Sequence, residues 1–225
     1  MSGPTGGAQR NGLDGLDLAD PQTLQDVATY VSRARRVDPD GAARLVAGGG
    51  MLAIYVSPVH GAPGPMVIGL RVVGLADSAG TLDVTVPLAA LGDRLAAAAP
   101  ASARLAVPPM AAVDAAWAGV SPPRSGWALR TALDPADLTA AARAGVEEVA
   151  AALPEAVGGH VIAQVRAAVW GRDLPSMAGI AAGAAFAADA LGFLDAQDPV
   201  AVRQAGPWWR LSTSRGHVLV RAALI

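Results

Sequence analysis

The chain has 225 residues, a formal net charge of −2 and no cysteine. Its length allows a sizeable core in one or two domains, and its small net charge gives no overall field that would attract nucleic acid or an anionic membrane. The lack of cysteine excludes disulfides, thiol catalysis and cysteine-ligated metals, and the lack of lysine excludes Schiff-base and P-loop lysine chemistry.

The first segment, residues 1–18, is predicted to be a disordered tail. It has no apolar core, so it is not a secretory signal, and together with the lack of cysteine it favours a cytoplasmic location. A helix is predicted next, with Asp20 as its cap and Pro21 at its first position. Three arginines at its end suit the negative end of the helix dipole: Arg33, Arg35 and Arg36.

Alternating apolar residues then predict a run of strands at 43–47, 51–57, 66–76 and 81–87. The short turns between these strands require antiparallel pairing. A helix over 88–99 and a short strand over 103–107 follow. We therefore predict an N-terminal α+β domain over 19–120 and a linker or loop over 121–133, where proline, serine and glycine are frequent.

The remaining segment, 134–225, is predicted to form helices and a closing β-hairpin. Asp134 caps the first helix, 160–170 is the second and 177–194 is the third. The third is apolar over 18 residues but contains Asp189, and alanine contributes little to membrane insertion. We interpret it as a buried helix of a soluble protein, with no membrane contact.

The fold class predicted is therefore α+β: an N-terminal helix and a mostly antiparallel sheet, then a helical segment and a C-terminal hairpin. A weak internal repeat is also present. Asp38–Pro39 aligns with Asp198–Pro199, and Arg44 aligns with Arg203, each time between a helix and a hairpin. A true duplication would give two related helix-hairpin units whose sheets face each other or merge.

The closing hairpin, "GPWWRLSTSRGHVLVR" (206–221), raises the question of nucleic-acid binding. As the wing of a winged helix it would place Arg215 in a minor groove and Arg210 and Arg221 on phosphates. The helix before it has no basic residue, and its one polar side chain is the acidic Asp189, so it is unsuited to read bases. The hairpin is therefore predicted to close a core through Trp209, Leu211, Val218 and Val220, with its arginines in water.

Few residues carry a catalytic signature. The three histidines are isolated in sequence, so no metal site is predicted, and no nucleophile elbow or carboxylate pair was found. No catalytic residue and no cofactor is predicted, which favours a protein that is not an enzyme. His160 begins a helix, where an anion could bind with help from Arg166 or Arg172. With His217, these residues are the candidate ligand site, in a pocket between the two halves.

Three stretches resemble a known family: "LQDVATYVSRARRVDPDGAARLVAGGGMLAIYV", "AAGAAFAADALGFL" and "WWRLSTSRGHVLVR". They are similar to proteins of high-GC Gram-positive bacteria in which an N-terminal and a C-terminal domain of unknown function occur in tandem. The resemblance covers nearly the whole chain after the tail. It implies a two-part α+β protein in the cytoplasm and implies no activity or site residue.

Three functional hypotheses follow. The first is a non-enzymatic module for protein–protein contact or scaffolding, as a homodimer or with another protein, with tryptophans as candidate anchors: Trp117, Trp127, Trp170 and Trp208. Core burial is the stronger interpretation of each tryptophan. The second is a small-molecule or anion binder that uses the pocket between the halves. The third, which the missing basic reader helix disfavours, is nucleic-acid binding through the hairpin.

Overall fold

In a computed structural model, which describes residues 14–60, 64–77, 80–109, 115–152 and 159–221, helices and strands contribute about equally to the fold. The helices are α1 (Pro21–Val37), α2 (Leu88–Ala96), α3 (Pro135–Ala152), α4 (Gly159–Gly171) and α5 (Gly183–Ala190), with a 3₁₀ turn at Ala116–Gly119.

The strands of the N-terminal half are β1 (Gly15–Asp17), β2 (Ala42–Gly48), β3 (Met51–Val59), β4 (Met66–Gly74), β5 (Leu82–Pro87) and β6 (Arg104–Ala106). Those of the C-terminal half are β7 (Ala128–Leu133), β8 (Asp173–Leu174), β9 (Met177–Ala181), β10 (Val200–Ala205), β11 (Trp208–Thr213) and β12 (Gly216–Arg221). Eight of them form one sheet in the order β5-β2-β3-β4-β12-β11-β10-β7, and every neighbouring pair is antiparallel.

The two halves of this sheet have matching topology. In each half a helix leads into three consecutive antiparallel strands: α1 into β2-β3-β4, and α5 into β10-β11-β12. A fourth strand lies beside the first of the three, β5 in one half and β7 in the other. The fourth strand follows its three partners in the N-terminal half and precedes them in the C-terminal half. The halves join through β4 and β12, so the two predicted units merge into a single sheet.

All five helices contribute buried residues to one core on one face of the sheet. The strands present Leu45, Ile54, Val67, Val202 and Val218 to this core, at alternate positions. We call the opposite side the open face. Among the described residues, the segment from Ala115 to Trp127 covers part of the open face and packs Trp117 against Ile68, Trp208 and Leu219.

Local signals explain much of this structure. The Asp20 side chain accepts a hydrogen bond from the Thr23 backbone N–H at 2.7 Å, and Pro21 begins α1, as the sequence predicts. The Asp134 side chain accepts one from the Ala136 N–H at 2.8 Å. The closing hairpin also follows its alternation, since Leu211, Val218 and Val220 lie in the core. The predicted α+β class with its C-terminal hairpin is confirmed.

The predicted helix over 177–194 is wrong in its first part. Residues 177–181 form β9, which pairs with β8, and α5 covers only Gly183–Ala190. Gly179 has a φ of +84°, which lies outside the right-handed helical region. A helix cannot pass through this residue, and the apolar composition alone did not distinguish a buried strand from a helix.

Two other predicted segments are more ordered than their composition indicates. The linker 121–133 contains β7, which pairs with β10 about seventy residues later, so no local pattern marks it. In the predicted tail, residues 1–13 lie outside the described residues. Its last part forms β1 against β6, with Leu16 and Leu18 buried in the core.

Candidate anion-binding cleft on the open face

A cleft with a volume of about 860 Å³ crosses the junction of the two halves on the open face. Its floor consists mainly of side chains from β3, β4 and β12: Ala53, Tyr55, Leu70, Val72 and Leu219. One wall is the segment 122–127, with Pro122, Pro123, Arg124 and Trp127. Arg210 and His217 provide its basic side chains from the hairpin. The volume lies within the usual range for small-molecule sites.

The cleft has an apolar part and a cationic part. Asp83 is the one carboxylate among its described lining residues, and Arg44 already binds it through two hydrogen bonds of 2.8 Å. This pairing lowers the pKa of Asp83. Arg124 and Arg210 form no ion pair within the described part of the chain. Positive charge in the cleft therefore exceeds negative charge.

Trp127 holds the wall of the cleft in place. Its indole N–H donates a hydrogen bond to the Pro123 carbonyl oxygen at 3.0 Å. The guanidinium carbon of Arg210 lies 4.6 Å from the centre of the Trp127 ring, which is the geometry of a cation–π contact. This contact orients Arg210 without neutralising its charge. A second pair, Arg221 and Trp208, has a longer distance of 5.9 Å.

Four polar residues lie together on β10, β11 and β12: Arg210 and His217 line the cleft, and Arg203 and Ser212 are their neighbours in the sheet. Arg203 is opposite Arg210 in the register, and Ser212 is opposite His217. Arg210 and Ser212 are two residues apart on β11, so they share the open face. Three buried atoms of this group have no hydrogen-bond partner in the described structure: Arg210 Nε, Ser212 Oγ and His217 Nδ1. We call Arg203, Arg210, Ser212 and His217 the polar cluster.

The charges within the polar cluster repel one another. Burial, Arg210 and Arg203 together lower the pKa of His217 to about 4. Burial and Arg203 also lower the pKa of Arg210. Only the part of each shift that comes from neighbouring positive charge would be offset by an added negative charge. His217 is neutral at pH 7 and presents one N–H donor and one acceptor nitrogen.

The four residues of the predicted ligand site do not line one cleft. His160 and Arg166 line a separate cleft of about 370 Å³, together with His60 and Asp38. Arg172 pairs with Glu148 and donates to the Val169 carbonyl oxygen at 3.2 Å. His217 alone belongs to the cleft on the open face. Residues of both halves line the cleft on the open face, but three of the four predicted residues are not among them.

The predicted nucleic-acid residues separate in a similar way. Arg215, at the turn of the hairpin, forms an ion pair with Asp195, and its carbonyl oxygen accepts from Arg71. Arg210 and Arg221 lie on the open face. Because β12 is central in the sheet and pairs with β4, the hairpin does not project as a wing.

Sequence reasoning missed Tyr55, Arg124 and Arg203 as members of a site, and it predicted Trp127 only as a candidate anchor for protein contact. Arg203 on β10 and Arg210 on β11 are cross-strand neighbours. The pairing of these two strands, which follow each other in sequence, was the one signal that could have brought the two arginines together. Tyr55 and Trp127 approach the hairpin only through the assembled sheet and the covering segment. No group of three or more potential metal ligands occurs in the described ranges, so no residue set for a metal is assigned.

Two family models match the chain in tandem. Residues 13–119 match a domain of unknown function, DUF8010, and residues 122–224 match a second one, DUF8185. The boundary between the matches lies at residues 120–121, just before the wall of the cleft. A search of curated proteins finds no match. Within the described part of the chain, no helix combines the length and apolar character that crossing a bilayer requires.

Proposed function

We propose that this tandem of two domains of unknown function binds a small organic anion in the cleft on the open face, without catalysing a reaction. The proposal rests on one observation: Arg210 and His217 lie at an apolar cleft whose described lining contains no free carboxylate. This corresponds to the hypothesis of an anion binder with a pocket between the halves, now assigned to different residues.

The cleft suits a ligand with two dissimilar ends. Leu70 and Val72 offer apolar surface for a flat or aliphatic body, and burial of that surface drives binding. Arg210 offers guanidinium donors, whose hydrogen bonds to an anion are stronger than those between neutral groups. A ligand of this kind removes the repulsion between Arg210 and Arg203 that disfavours the empty site.

The ligand would contact both domains. Tyr55 and Leu70 belong to the first family match, whereas Trp127, Arg210 and His217 belong to the second. Because such a ligand binds the folded chain and not the unfolded one, it would stabilise the junction of β4 and β12. This gives a physical reason for the two domains to occur in tandem.

The test uses 8-anilinonaphthalene-1-sulfonate, a fluorescent probe with an aromatic body and an anionic group. We expect saturable binding to the native protein, at least about tenfold weaker in Arg210→Gln because a charged hydrogen-bonding group is lost. Trp127→Leu should weaken binding by a similar factor, since Arg210 loses its orienting ring. Arg143→Gln, an exposed change on α3 in the helical layer, is the matched control.

Circular dichroism must show that each variant is folded, because the probe also binds partly unfolded protein. If the native protein does not bind the probe, or if all three variants bind it equally, the proposal is wrong. The contact and scaffolding hypothesis remains a prediction. Three of its four candidate anchors, Trp117, Trp170 and Trp208, are buried in the cores and offer no specific support for it. Nucleic-acid binding also remains a prediction.

A further inference from the structure

We infer that the anionic end of the ligand is a phosphoryl group, and that the polar cluster holds it. This inference rests on the proposed function and adds the chemical class of the ligand. Its support comes from the register of three strands and from unpartnered polar atoms, which point to a group with several oxygens.

The register brings the donors together. Arg203 and Arg210 are cross-strand neighbours, as are Ser212 and His217, and such neighbours have Cβ atoms roughly 4.5–5.5 Å apart. Arg210 and Ser212 follow each other on the same face of β11. The four side chains therefore surround one small area of the open face, adjoining the aromatic wall formed by Trp127.

The number and arrangement of the donors favour a tetrahedral group over a carboxylate. Arg210 Nε, Ser212 Oγ and His217 Nδ1 come from two strands, and each lacks a hydrogen-bond partner in the described structure. A carboxylate has two oxygens in one plane, which a single guanidinium fork can satisfy. A phosphoryl group has three terminal oxygens in three directions. Small side-chain rotations that expose these buried atoms would let it accept hydrogen bonds from Arg210, Ser212 and Arg203 or His217 together.

The charge of the site also matches a dianion. Arg203 on β10 and Arg210 on β11 face His217 on β12, and Arg124 lies across the cleft. The nearby Asp83 is occupied by Arg44, and Tyr55 on β3 is a neutral phenol whose pKa burial raises. Two guanidinium groups without a carboxylate partner in the described ranges balance the charge of a phosphate monoester, about −1.5 to −2 at neutral pH.

The test is isothermal titration calorimetry with phenyl phosphate, benzoate and inorganic phosphate. Phenyl phosphate and benzoate share a ring and differ in the anionic group. We expect phenyl phosphate to bind at least about tenfold more tightly than benzoate. Inorganic phosphate identifies the source of the group: weaker binding than phenyl phosphate indicates an organic ester, and equal binding indicates free phosphate.

Two variants locate the group. Ser212→Ala should weaken the binding of phenyl phosphate about fivefold and leave the binding of benzoate unchanged, because the lost hydroxyl would bind only the third oxygen of the phosphoryl group. It should fold normally, since the hydroxyl has no partner to lose. Arg203→Gln should weaken the binding of phenyl phosphate by a larger factor. Ser32→Ala, on the exposed side of α1, is the control that matches Ser212→Ala.

The outcomes separate the two proposals. If the fluorescent sulfonate binds as proposed but benzoate binds as tightly as phenyl phosphate, the phosphoryl inference is overturned and the anion-binding function stands. The same conclusion follows if Ser212→Ala and Arg203→Gln leave phenyl phosphate unaffected. If neither the sulfonate nor phenyl phosphate binds, both proposals fail.

Discussion

Arg33 donates a hydrogen bond from Nη1 to the carbonyl oxygen of Leu191, at 3.2 Å, and the same nitrogen lies 3.4 Å from the carbonyl oxygen of Gly192. Arg33 lies on α1 and Leu191 directly follows α5, so the contact joins the two domains. The last carbonyl groups of a helix have no partner within it. Arg33 satisfies one of them, that of the cap residue Leu191, with a positive charge that also suits the helix dipole.

Replacement of Arg33 by Met should therefore destabilise the whole chain. The methionine retains much of the apolar stem but cannot donate to the two carbonyl groups, so we expect a loss of about 1–2 kcal/mol in the free energy of unfolding. Urea denaturation followed by circular dichroism measures this loss. Arg36→Met, an exposed arginine three residues later, is the control. Equal stability of both variants would show that the contact contributes nothing.

The cap of α1 gives a second prediction. Asp20→Ala removes the 2.7 Å hydrogen bond to the Thr23 N–H and should cost about 1 kcal/mol of stability. Asp20→Ser keeps a capping oxygen and should retain most of it. The melting temperatures of both variants test this order, which would be contradicted if the serine and alanine variants melted together.

Gly145 gives a third prediction, because helix propensity and packing oppose each other there. Alanine stabilises an open helix position by about 1 kcal/mol relative to glycine. A Cβ at Gly145, however, would lie 2.2 Å from Cζ3 of the Trp170 ring. Trp170 is buried and stacked on Phe186, so it has little room to move. We expect Gly145→Ala to destabilise the protein by about 1–3 kcal/mol.

The control for this substitution is Gly119→Ala, where a Cβ would meet no atom within 4 Å. Chemical denaturation of the two variants compares them directly. A Gly145→Ala protein as stable as the Gly119→Ala protein would mean that α3 and α4 separate easily at this contact.

The fold was predictable where its signal is local. The strands of the N-terminal half and the closing hairpin alternate clearly, and Asp20 and Pro21 mark the start of α1. Where the pairing partner is distant in sequence, no local pattern marks the strand, and the composition of 121–133 therefore predicts a linker in place of β7. The predicted helix over 177–194 is wrong in its first part because an apolar run rich in alanine fits a buried strand and a buried helix equally.

The candidate site was predictable only in parts. The alternation along β11 predicts that Arg210 and Ser212 share one face of that strand. The alternation along β12 predicts only which of its own residues lie on the same face as His217. It did not show that β12 would pair with β4, which brings Tyr55 and Leu70 beside His217. The predicted ligand site joined His217 to His160, at a helix start where an anion could bind, and to Arg166 and Arg172 after it. Nothing in that grouping carried information about distance in the folded chain.

The polar cluster gives a final prediction, on the pH dependence of stability without ligand. The pKa of His217 is about 4 in the folded protein, below its ordinary value of 6.5. Between these two pH values the unfolded chain binds more protons, so the free energy of unfolding should decrease as the pH falls from 6.5 toward 4.

His217→Gln removes this contribution. Urea denaturation at pH 7.5 and pH 5.5 should therefore show a smaller loss of stability in His217→Gln than in the wild type, while the control His160→Gln follows the wild type. An equal loss in all three proteins would show that burial and the neighbouring arginines do not hold His217 neutral, and would remove the electrostatic support for an anion at this position.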